Sequence, residues 1–366
     1  MRAITEIGRV WTSARSTAAK RLFLERQAEF WLGELDPVRS LGEIRARVVE
    51  IIEETADTKT FVLQPNSAWP GHHAGQHTSV EVEIDGVRMR RCYSISSAPH
   101  DVLVSITVKH MPGGRVSTWL HEHVRAGHIL RLGAPAGDFV LPVTTPDKLL
   151  LLSGGSGITP VMSMLRDLAA HGALHDVVFA HYARSRADVI FKKELGELAA
   201  SHPGLRLLLC LDDDVSASRG FDEARFGELV PDFAERSTLL CGPGPLMDRA
   251  ARLWESVGAS DLLERERFTP ALRLVPPVAS PNGVQVRLAR SERAVVAKGA
   301  GSLLEQLERA GERPAHGCRI GICHTCKCRK QSGTVQNLVT GEVSSEPDQE
   351  IQLCISLPRS DLELDL

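Results

Sequence analysis

Residues 317–328, GCRIGICHTCKC, contain three cysteines in the spacing C-x4-C-x2-C, and one further cysteine follows in a later strand-like stretch. The four candidate ligands are Cys318, Cys323, Cys326 and Cys354. Two sulfide-bridged irons need four thiolates, and this is the plant-type spacing that supplies them to a [2Fe-2S] cluster. The stretch therefore predicts a [2Fe-2S] site held by a loop and a later strand.

A structural zinc site and a Rieske cluster are the alternatives. Zinc ligands usually come as two short C-x2-4-C pairs, and this stretch has only one clean pair. A Rieske cluster needs two histidine ligands, but His324 has no suitably spaced histidine partner. Cys328 could serve as a substitute thiolate, although its position favours a small buried strand residue.

Length and charge narrow the function classes. A chain of 366 residues predicts two or three domains. It carries 43 basic and 46 acidic side chains, so no global field favours nucleic acid as a partner. Eight cysteines, four of them assigned to the cluster, indicate a reducing compartment. With no apolar run long enough to span a bilayer and no signal-peptide core, we expect a cytoplasmic protein.

Residues 1–42 are expected to form a basic helical extension. Apolar residues recur at three- and four-residue steps up to about Leu32, and the other positions carry more arginine and lysine than acid. Such a helix can lie on an anionic membrane surface, but packing on the body of the protein is the more common arrangement.

Alternating patterns predict an antiparallel β-barrel over residues 43–145, with a hairpin turn at Asp85-Gly86. Residues 146–268 alternate apolar strands with helical stretches, which predicts an α/β domain with a parallel sheet. Its first strand runs into the turn SGGSGITP at residues 153–160, the context that a dinucleotide-binding motif requires. Residues 269–281 are proline-rich and predict a linker, and residues 282–366 predict a small α+β domain.

Four motifs occur in the order found in the ferredoxin-NADP reductase family: Arg91-x-Tyr93-Ser94, Gly114-x-x-Ser117, the turn from Gly155 to Pro160, and Cys241-Gly242-Pro243. The C-terminal cysteines resemble the plant-type ferredoxin module that is fused to many members. The likeness covers nearly the whole chain after residue 44, and it implies a β-grasp-like fold for the last domain.

The resemblance implies a FAD site on the barrel. Arg91 would bind the flavin pyrophosphate, Tyr93 would pack on the isoalloxazine or ribityl, and Ser94 would hydrogen-bond near flavin N5. The other residues that it assigns to FAD are Val108, Lys109, Gly114, Val116 and Ser117, which hold the pyrophosphate near a helix start.

The same likeness implies a nicotinamide dinucleotide site on the parallel sheet. The backbone turn would receive the pyrophosphate, and Arg184, Ser185 and Arg186 favour NADPH because they suit a 2′-phosphate. Because NAD-selective relatives tend to have an acid nearby, Asp188 leaves NADH as an alternative to NADPH. The remaining residues assigned to this site are Gly155, Ser156, Gly157, Thr159, Gly242 and Pro243. Cys241 would lie beside the nicotinamide, and Glu266 and Phe268 would close the flavin site; Ser94, Cys241 and Glu266 are the candidate catalytic residues.

The implied function is electron transfer from NADPH through FAD and the [2Fe-2S] cluster to a partner protein: an oxygenase, hydroxylase or fatty-acyl desaturase. A monomer is expected. The alternatives are a redox-sensing [2Fe-2S] binding module and a self-contained reductase of a small acceptor. Basic residues around the cysteine loop are expected to form a docking rim for the partner: Arg313, Arg319, Lys327, Arg329 and Lys330.

Overall fold

The structure is a computed structural model that describes residues 31, 34, 36–213, 220–268, 283–317, 319, 321 and 325–366. The predicted linker, Cys318, Cys323 and His324 lie outside these residues, as does nearly all of the predicted N-terminal helix. Among the described residues, no helix has the length and apolar character needed to cross a bilayer.

The first sheet is antiparallel and has six strands in the order β4-β3-β6-β1-β2-β5. They are β1 (Ile44–Thr55), β2 (Thr58–Pro65), β3 (His77–Ile84), β4 (Val87–Ser94), β5 (Val104–Lys109) and β6 (Ile129–Leu132). An isolated bridge between Ile95 and Ile106 brings the two edge strands together, so the sheet curls into the predicted barrel. Its core consists of inward-facing apolar side chains such as Val48, Phe61 and Val80.

The hairpin turn of the barrel and the start of its helix were both predicted from the sequence. The turn between β3 and β4 has Asp85 and Gly86 at φ 52° and 73°, which confirms the predicted hairpin, because a two-residue turn with both φ positive matches strand twist. Helix α1 (Arg115–His123) begins two residues before Ser117, where the sequence pattern predicts a helix to start. Ser117 therefore lies within its first turn rather than at its start.

The second sheet has five parallel strands in the order β11-β10-β7-β8-β9. They are β7 (Leu149–Gly154), β8 (Val177–Ala183), β9 (Leu205–Leu211), β10 (Ser237–Cys241) and β11 (Leu263–Glu266). The helices are α2 (Ile158–Ala170), α3 (Lys192–Ser201), α4 (Glu223–Leu229) and α5 (Gly244–Ser256). Apolar cores fill both faces of the sheet, as a parallel sheet requires.

The strand order reverses between β7 and β10. The chain runs from β7 outward to β8 and β9, then returns to the other side of β7 to form β10 and β11. Crevices at such reversals, beyond the carboxyl ends of the strands, are where open α/β sheets bind ligands.

The C-terminal region has a five-stranded sheet in the order β13-β12-β19-β14-β17 and a three-stranded sheet, β16-β15-β18. The strands are β12 (Val284–Leu288), β13 (Arg293–Ala297), β14 (Lys327–Ser332), β15 (Val335–Asn337), β16 (Val343–Ser344), β17 (Gln349–Gln352), β18 (Ser356–Pro358) and β19 (Leu362–Leu364). Helix α6 (Leu303–Arg309) starts with a capping box formed by Ser302 and Glu305 and packs its leucines on the larger sheet. This is the predicted α+β arrangement.

Candidate functional site

The two glycine-containing turns expected at the nucleotide site meet at the strand reversal. The residues at the ends of β7 and β10, Ser153 and Cys241, are register partners. A Cβ on Gly157 would lie 2.2 Å from the Cys241 carbonyl oxygen, so only glycine fits there. Gly155 has φ +52° and open space around it. Gly155 and Ser156 stay partly exposed, so the turn before α2 leaves room for an anion at the crevice.

Several predicted nucleotide-site residues support this turn. Thr159 Oγ1 donates to Ser156 O at 3.0 Å, which holds the start of α2. Pro243 lies directly before α5, and a Cβ on Gly154 would come within 2.9 Å of its ring. Gly242 is as tightly placed, because its added Cβ would lie 3.2 Å from Gly154 N. The structure thus brings these five positions to one end of the sheet.

The thiol of Cys241 is fully buried at this end of the sheet. Burial raises its pKa well above the usual range, and the nearby carboxylate of Glu266 acts in the same direction. Cys241 and Glu266 are register partners on β10 and β11. We therefore expect Cys241 to be a neutral thiol that shapes the crevice rather than a thiolate nucleophile.

Four buried side chains connect this crevice to the barrel, and we call His77, Ser94, Cys241 and Glu266 the junction cluster. His77 on β3 is the register partner of Ser94 on β4. The Nδ1 atom of His77 lies 3.7 Å from Oε1 of Glu266, which belongs to the parallel sheet. The barrel strand that carries Ser94 is thus joined to the sheet edge that carries Cys241.

Polar atoms of the junction cluster lack hydrogen-bond partners among the described residues: Ser94 Oγ, both ring nitrogens of His77 and Glu266 Oε2. Buried polar groups are normally paired, and unpaired ones mark sites where a ligand or water completes the set. The cluster offers a hydroxyl, an imidazole and a carboxylate, which together fit the polar edge of a flavin ring system. Ser94 and Glu266 are the two of these residues that the sequence assigned to the flavin site.

His77 was not identified from the sequence. It is one histidine in an alternating strand, and nothing in that pattern separates it from an ordinary half-buried position. In the fold it is almost fully buried, and a Cβ on Gly137 would lie 2.9 Å from its Nδ1. Only the meeting of β3 with β11 reveals its proximity to Glu266.

The predicted flavin-site residues on the barrel fall into two groups. Arg91 is exposed at the barrel surface, where it can reach a diphosphate, and Tyr93 is half-buried, with burial raising its pKa. By contrast, Val108 and Val116 direct their side chains into the barrel core, so only their backbone groups can contact a cofactor.

The start of α1 presents the backbone of Gly114 beside Arg115. Ser117 Oγ accepts from Met111 N and donates to Gly114 O, both at 3.2 Å. Its hydroxyl therefore stabilises the bend that exposes the first amides of α1.

The predicted 2′-phosphate residues surround a carboxylate. Asp188 accepts from Arg184 at 2.6 Å and from the Ser185 hydroxyl at 2.7 Å. The Ser185 hydrogen bond is the main cause that lowers the pKa of Asp188, and the Arg184 hydrogen bond adds to it. Arg184 also lies 3.6 Å from Asp57, which pairs with the barrel residue Lys109 at 3.0 Å. Arg184 and Ser185 thus already share an anionic partner, because Asp188 neutralises the Arg184 charge and accepts from the Ser185 hydroxyl.

Phe268 is partly buried against the core beside α2, close after Glu266. It lies at the last described position before residues 269–282. That Phe268 closes the flavin site stays a prediction.

Two of the four candidate cluster ligands lie in the described residues, and they come together. The sulfurs of Cys326 and Cys354 are 3.2 Å apart, although the residues are 28 positions apart in sequence. Both residues are almost fully buried. Two buried thiols directed to one point suit a thiolate-ligated iron–sulfur cluster.

The loop around the thiols also fits the cluster prediction. Gly321 has φ +85°, and a Cβ there would lie 2.9 Å from Ile355. Its carbonyl accepts from Gln352 Nε2 at 2.8 Å, which ties the loop to the segment that carries Cys354. The chain therefore needs glycine at this position to approach the segment Leu353–Ile355. That segment is a 3-10 turn and not the predicted strand, and it carries Cys354.

Cys328 lies on β14 with its side chain buried, beside the cluster segment. Burial raises the pKa of Cys328 to about 11. Its Sγ contacts the Arg329 carbonyl at 3.5 Å. These features agree with a small buried strand residue.

The prediction of a basic docking rim is wrong for one of its five residues, Lys330. Lys330 is fully buried, and its ammonium donates to the carbonyl oxygens of Gly333 and Glu346. Strand alternation places it on the inner face of β14, whereas Lys327 and Arg329 face outward. Lys327 lies 3.4 Å from Glu350, and Arg319 pairs with Glu308 at 2.6 Å.

We expect Lys330→Met to destabilise the C-terminal domain by about 2 kcal/mol, because it leaves two buried carbonyl oxygens without their donor. Lys327→Met is the matched control on the same strand, since its side chain is 44% exposed and its ion pair is a surface one. Urea unfolding of both variants measures the difference. Equal stability of the two variants would show that the Lys330 contacts contribute nothing.

Comparison with known proteins gives three family matches in chain order. The family described as oxidoreductase FAD-binding domain matches residues 45–141. The oxidoreductase NAD-binding domain matches residues 151–252, and the 2Fe-2S iron-sulfur cluster binding domain matches residues 286–359. These ranges contain the barrel, the strand reversal and the two converging thiols.

Similar full-length proteins have the same organisation. An NADPH oxidoreductase of Mycobacterium tuberculosis is 39% identical over 97% of this chain and 93% of its own length. The glycine betaine monooxygenase reductase subunit of Pseudomonas aeruginosa is 34% identical, covering 88% of this chain and 95% of its own. The solved structure of phthalate dioxygenase reductase, described as modular for electron transfer from pyridine nucleotides to [2Fe-2S], has a TM-score of 0.60 and 25% identity over 89% of this chain and 98% of its own. The chain therefore belongs to the family of NAD(P)H oxidoreductases that combine an FAD-binding domain, an NAD-binding domain and a C-terminal [2Fe-2S] domain, as oxygenase reductase components do.

Proposed function

We propose that the protein is an NADPH-dependent reductase that supplies electrons singly to a separate oxygenase, hydroxylase or desaturase. The observation that carries the proposal is the junction cluster, where the Ser94 strand of the barrel meets the Cys241 edge of the parallel sheet through the 3.7 Å contact between His77 and Glu266. When bound, NADPH supplies a hydride, FAD accepts it, and the [2Fe-2S] cluster carries one electron at a time.

Each group of residues has a separate role in holding the cofactors. The α2 amides and the close glycine turns hold the dinucleotide pyrophosphate at the strand reversal. Arg91 and the start of α1 hold the flavin diphosphate on the barrel. Ser94 orients the ring edge, while His77 and Glu266 complete a buried wall that excludes water from the reacting face. The four cysteines, of which Cys326 and Cys354 converge in the described structure, hold the cluster.

Reconstitution tests the proposal against its rivals. The purified holoprotein is mixed with NADPH and a panel of purified oxygenase, hydroxylase or desaturase components, each with its own substrate. We expect substrate turnover only when both proteins are present. Turnover of a small organic substrate by this chain alone would instead support a self-contained reductase. Partner binding that depends on redox state without electron flow would support a redox sensor.

We infer a preference for NADPH from the positions of Arg184 and Ser185. Replacing Arg184 or Arg186 by alanine should raise KM for NADPH by about tenfold, because each removes a charge-assisted bond to the 2′-phosphate. KM for NADH should stay unchanged. Asp188→Asn should lower KM for NADPH, since the carboxylate competes with the phosphate for Arg184 and Ser185.

Arg252→Ala is the matched control for this set. Its side chain is 61% exposed, compared with 67% for Arg184, and it lies on α5 with a 3.8 Å contact to Glu223. Steady-state kinetics with both nucleotides measure the preference. If neither arginine variant changes the ratio of the two KM values, these arginines do not bind the 2′-phosphate.

Three further properties are proposed from the sequence alone: localisation, oligomeric state and membrane contact. The protein is cytoplasmic, it is a monomer, and its basic N-terminal segment can contact an anionic membrane surface.

A further inference from the structure

Two histidines and an aspartate meet on the surface where the barrel contacts the parallel-sheet domain. His100 lies in the turn after β4, Asp167 lies on α2, and His171 directly follows α2. The Nδ1 atoms of His100 and His171 are 3.6 Å and 3.4 Å from the same carboxylate oxygen, Oδ1 of Asp167. One candidate ligand atom from each residue lies within 4.8 Å of the others, the one such group found among the described residues.

The distance from His100 Nδ1 to Asp167 Oδ1 is that of two metal ligands rather than of a hydrogen bond. A hydrogen bond from imidazole to carboxylate would be about 2.7–3.2 Å long, shorter than either contact. Two ligands of a tetrahedral zinc ion, each about 2.0–2.1 Å from the metal, lie roughly 3.4 Å apart. The carboxylate oxygen thus lies at ligand spacing from His100 Nδ1. His171 Nδ1 donates to the Asp167 carbonyl, so Nε2 is the atom of that ring that would bind the metal.

Ordinary surface ion pairing explains the arrangement less well. Each imidazole must carry a proton to pair with Asp167, and exposed pairs of this kind contribute little to stability. His171 Nδ1 does contact the Asp167 carbonyl at 2.8 Å, a common arrangement at a helix end. That contact fixes His171 and leaves Nε2 of its ring to bind a metal, but it does not account for His100, which approaches the same carboxylate from the other domain.

The positions of the three residues are fixed by contacts between the domains. Ser163 Oγ on α2 donates to Ser97 O at 2.6 Å, and Arg166 donates to Ser96 O at 2.5 Å. The turn that carries His100 is closed by Asp101, whose carboxylate accepts from Ala98 N at 2.9 Å. Both sides of the group are therefore held before a metal arrives, which reduces the cost of binding.

The donor set indicates the class of ion. Imidazole with carboxylate suits zinc and neighbouring divalent transition metals, whereas calcium prefers oxygen ligands alone. His100 and His171 have side chains 45% and 66% exposed, so water can complete the coordination. Asp167 is more protected, at 20%.

We propose that His100, Asp167 and His171 bind one divalent zinc-like ion that fastens helix α2 to the barrel turn after β4. This site is separate from the [2Fe-2S] cysteines and does not depend on the acceptor proposed above. Because α2 begins at the nucleotide turn, the ion would hold the nucleotide-binding helix in place against the flavin domain.

Calorimetric titration of the metal-depleted holoprotein with zinc chloride tests the site. We expect one ion per chain, and affinity at least about tenfold weaker in His100→Ala and in His171→Ala, since even indirect ligand contacts contribute that much. His175→Ala is the control, an exposed histidine four residues beyond His171. Calcium chloride should give no binding. Flavin absorbance and circular dichroism verify that each variant is folded.

Hydrogen exchange provides a second measurement that does not involve activity. Zinc should slow exchange in the turn at residues 98–101 of the wild type and of His175→Ala, and should leave the other two variants unchanged. Absence of zinc binding to the wild type would overturn the proposal. So would zinc binding that is as tight in His100→Ala and His171→Ala as in the wild type, because the ion would then lie elsewhere.

Discussion

Replacing Cys354 by alanine is expected to abolish the [2Fe-2S] cluster and, with it, electron delivery to a one-electron protein acceptor. The residue is buried and its sulfur lies 3.2 Å from that of Cys326, so its loss removes one of two thiolates that converge on the same point. Alanine offers no ligand atom in its place. Flavin content and direct reduction of the flavin by NADPH should be unchanged, because the flavin residues lie on other strands.

Cys328→Ala is the matched control for this prediction. It removes a second buried thiol from the same domain, two residues from Cys326, but one whose Sγ contacts the Arg329 carbonyl. We expect the control to retain the cluster's visible absorbance and electron-spin resonance signal. A Cys354→Ala protein with a full two-iron signal, or a Cys328→Ala protein without one, would contradict the ligand assignment.

The second large effect is expected at Gly157. Alanine there would place a Cβ 2.2 Å from Cys241 O and 2.7 Å from Gly242 N, both backbone atoms that cannot move without displacing β10 from α2. We expect a loss of at least about 3 kcal/mol in unfolding free energy of the nucleotide-binding domain, at the upper end of overpacking costs. The φ of Gly157 is −64°, so the effect is one of space and not of backbone conformation.

Nucleotide binding should fail along with stability in Gly157→Ala, because the displaced turn is the one that we propose to receive the dinucleotide pyrophosphate. Gly196→Ala on α3 is the control, since a Cβ there meets nothing within 4 Å. It should stabilise the protein by about 0.5–1 kcal/mol, as removal of a helical glycine does. Urea unfolding with hydrogen exchange of the β7 and β10 amides gives both values. Normal stability and nucleotide binding in Gly157→Ala would refute the close contact.

The sequence predicted those features that depend on local pattern. Alternation and the Asp85-Gly86 pair sufficed for the barrel hairpin, because turn chemistry and strand register are local. The apolar strand, glycine turn and helix occur in the predicted order, as β7, the turn at Gly155–Gly157 and α2. The spacing of cysteines predicted Cys326 and Cys354 as ligands of one cluster, and in the structure their sulfurs lie 3.2 Å apart.

Features that depend on which elements meet in space were not predicted. His77 approaches Glu266 only because β3 of the barrel meets the end of β11. Lys330 was expected on the surface because a lysine in a basic run usually is, yet strand alternation buries it between two carbonyl oxygens. The hydrogen bonds from Arg184 and Ser185 to the Asp188 carboxylate depend on a short turn, and the composition does not specify the conformation of that turn.

The central claim is that electrons pass from NADPH through the flavin to the cluster within this one chain. Anaerobic titration of the holoprotein with NADPH, followed by flavin absorbance and electron-spin resonance, tests it most directly. The flavin absorbance should bleach, and the signal of a reduced [2Fe-2S] cluster should then appear. A cluster that stays oxidised in the presence of excess NADPH and NADH would contradict the account.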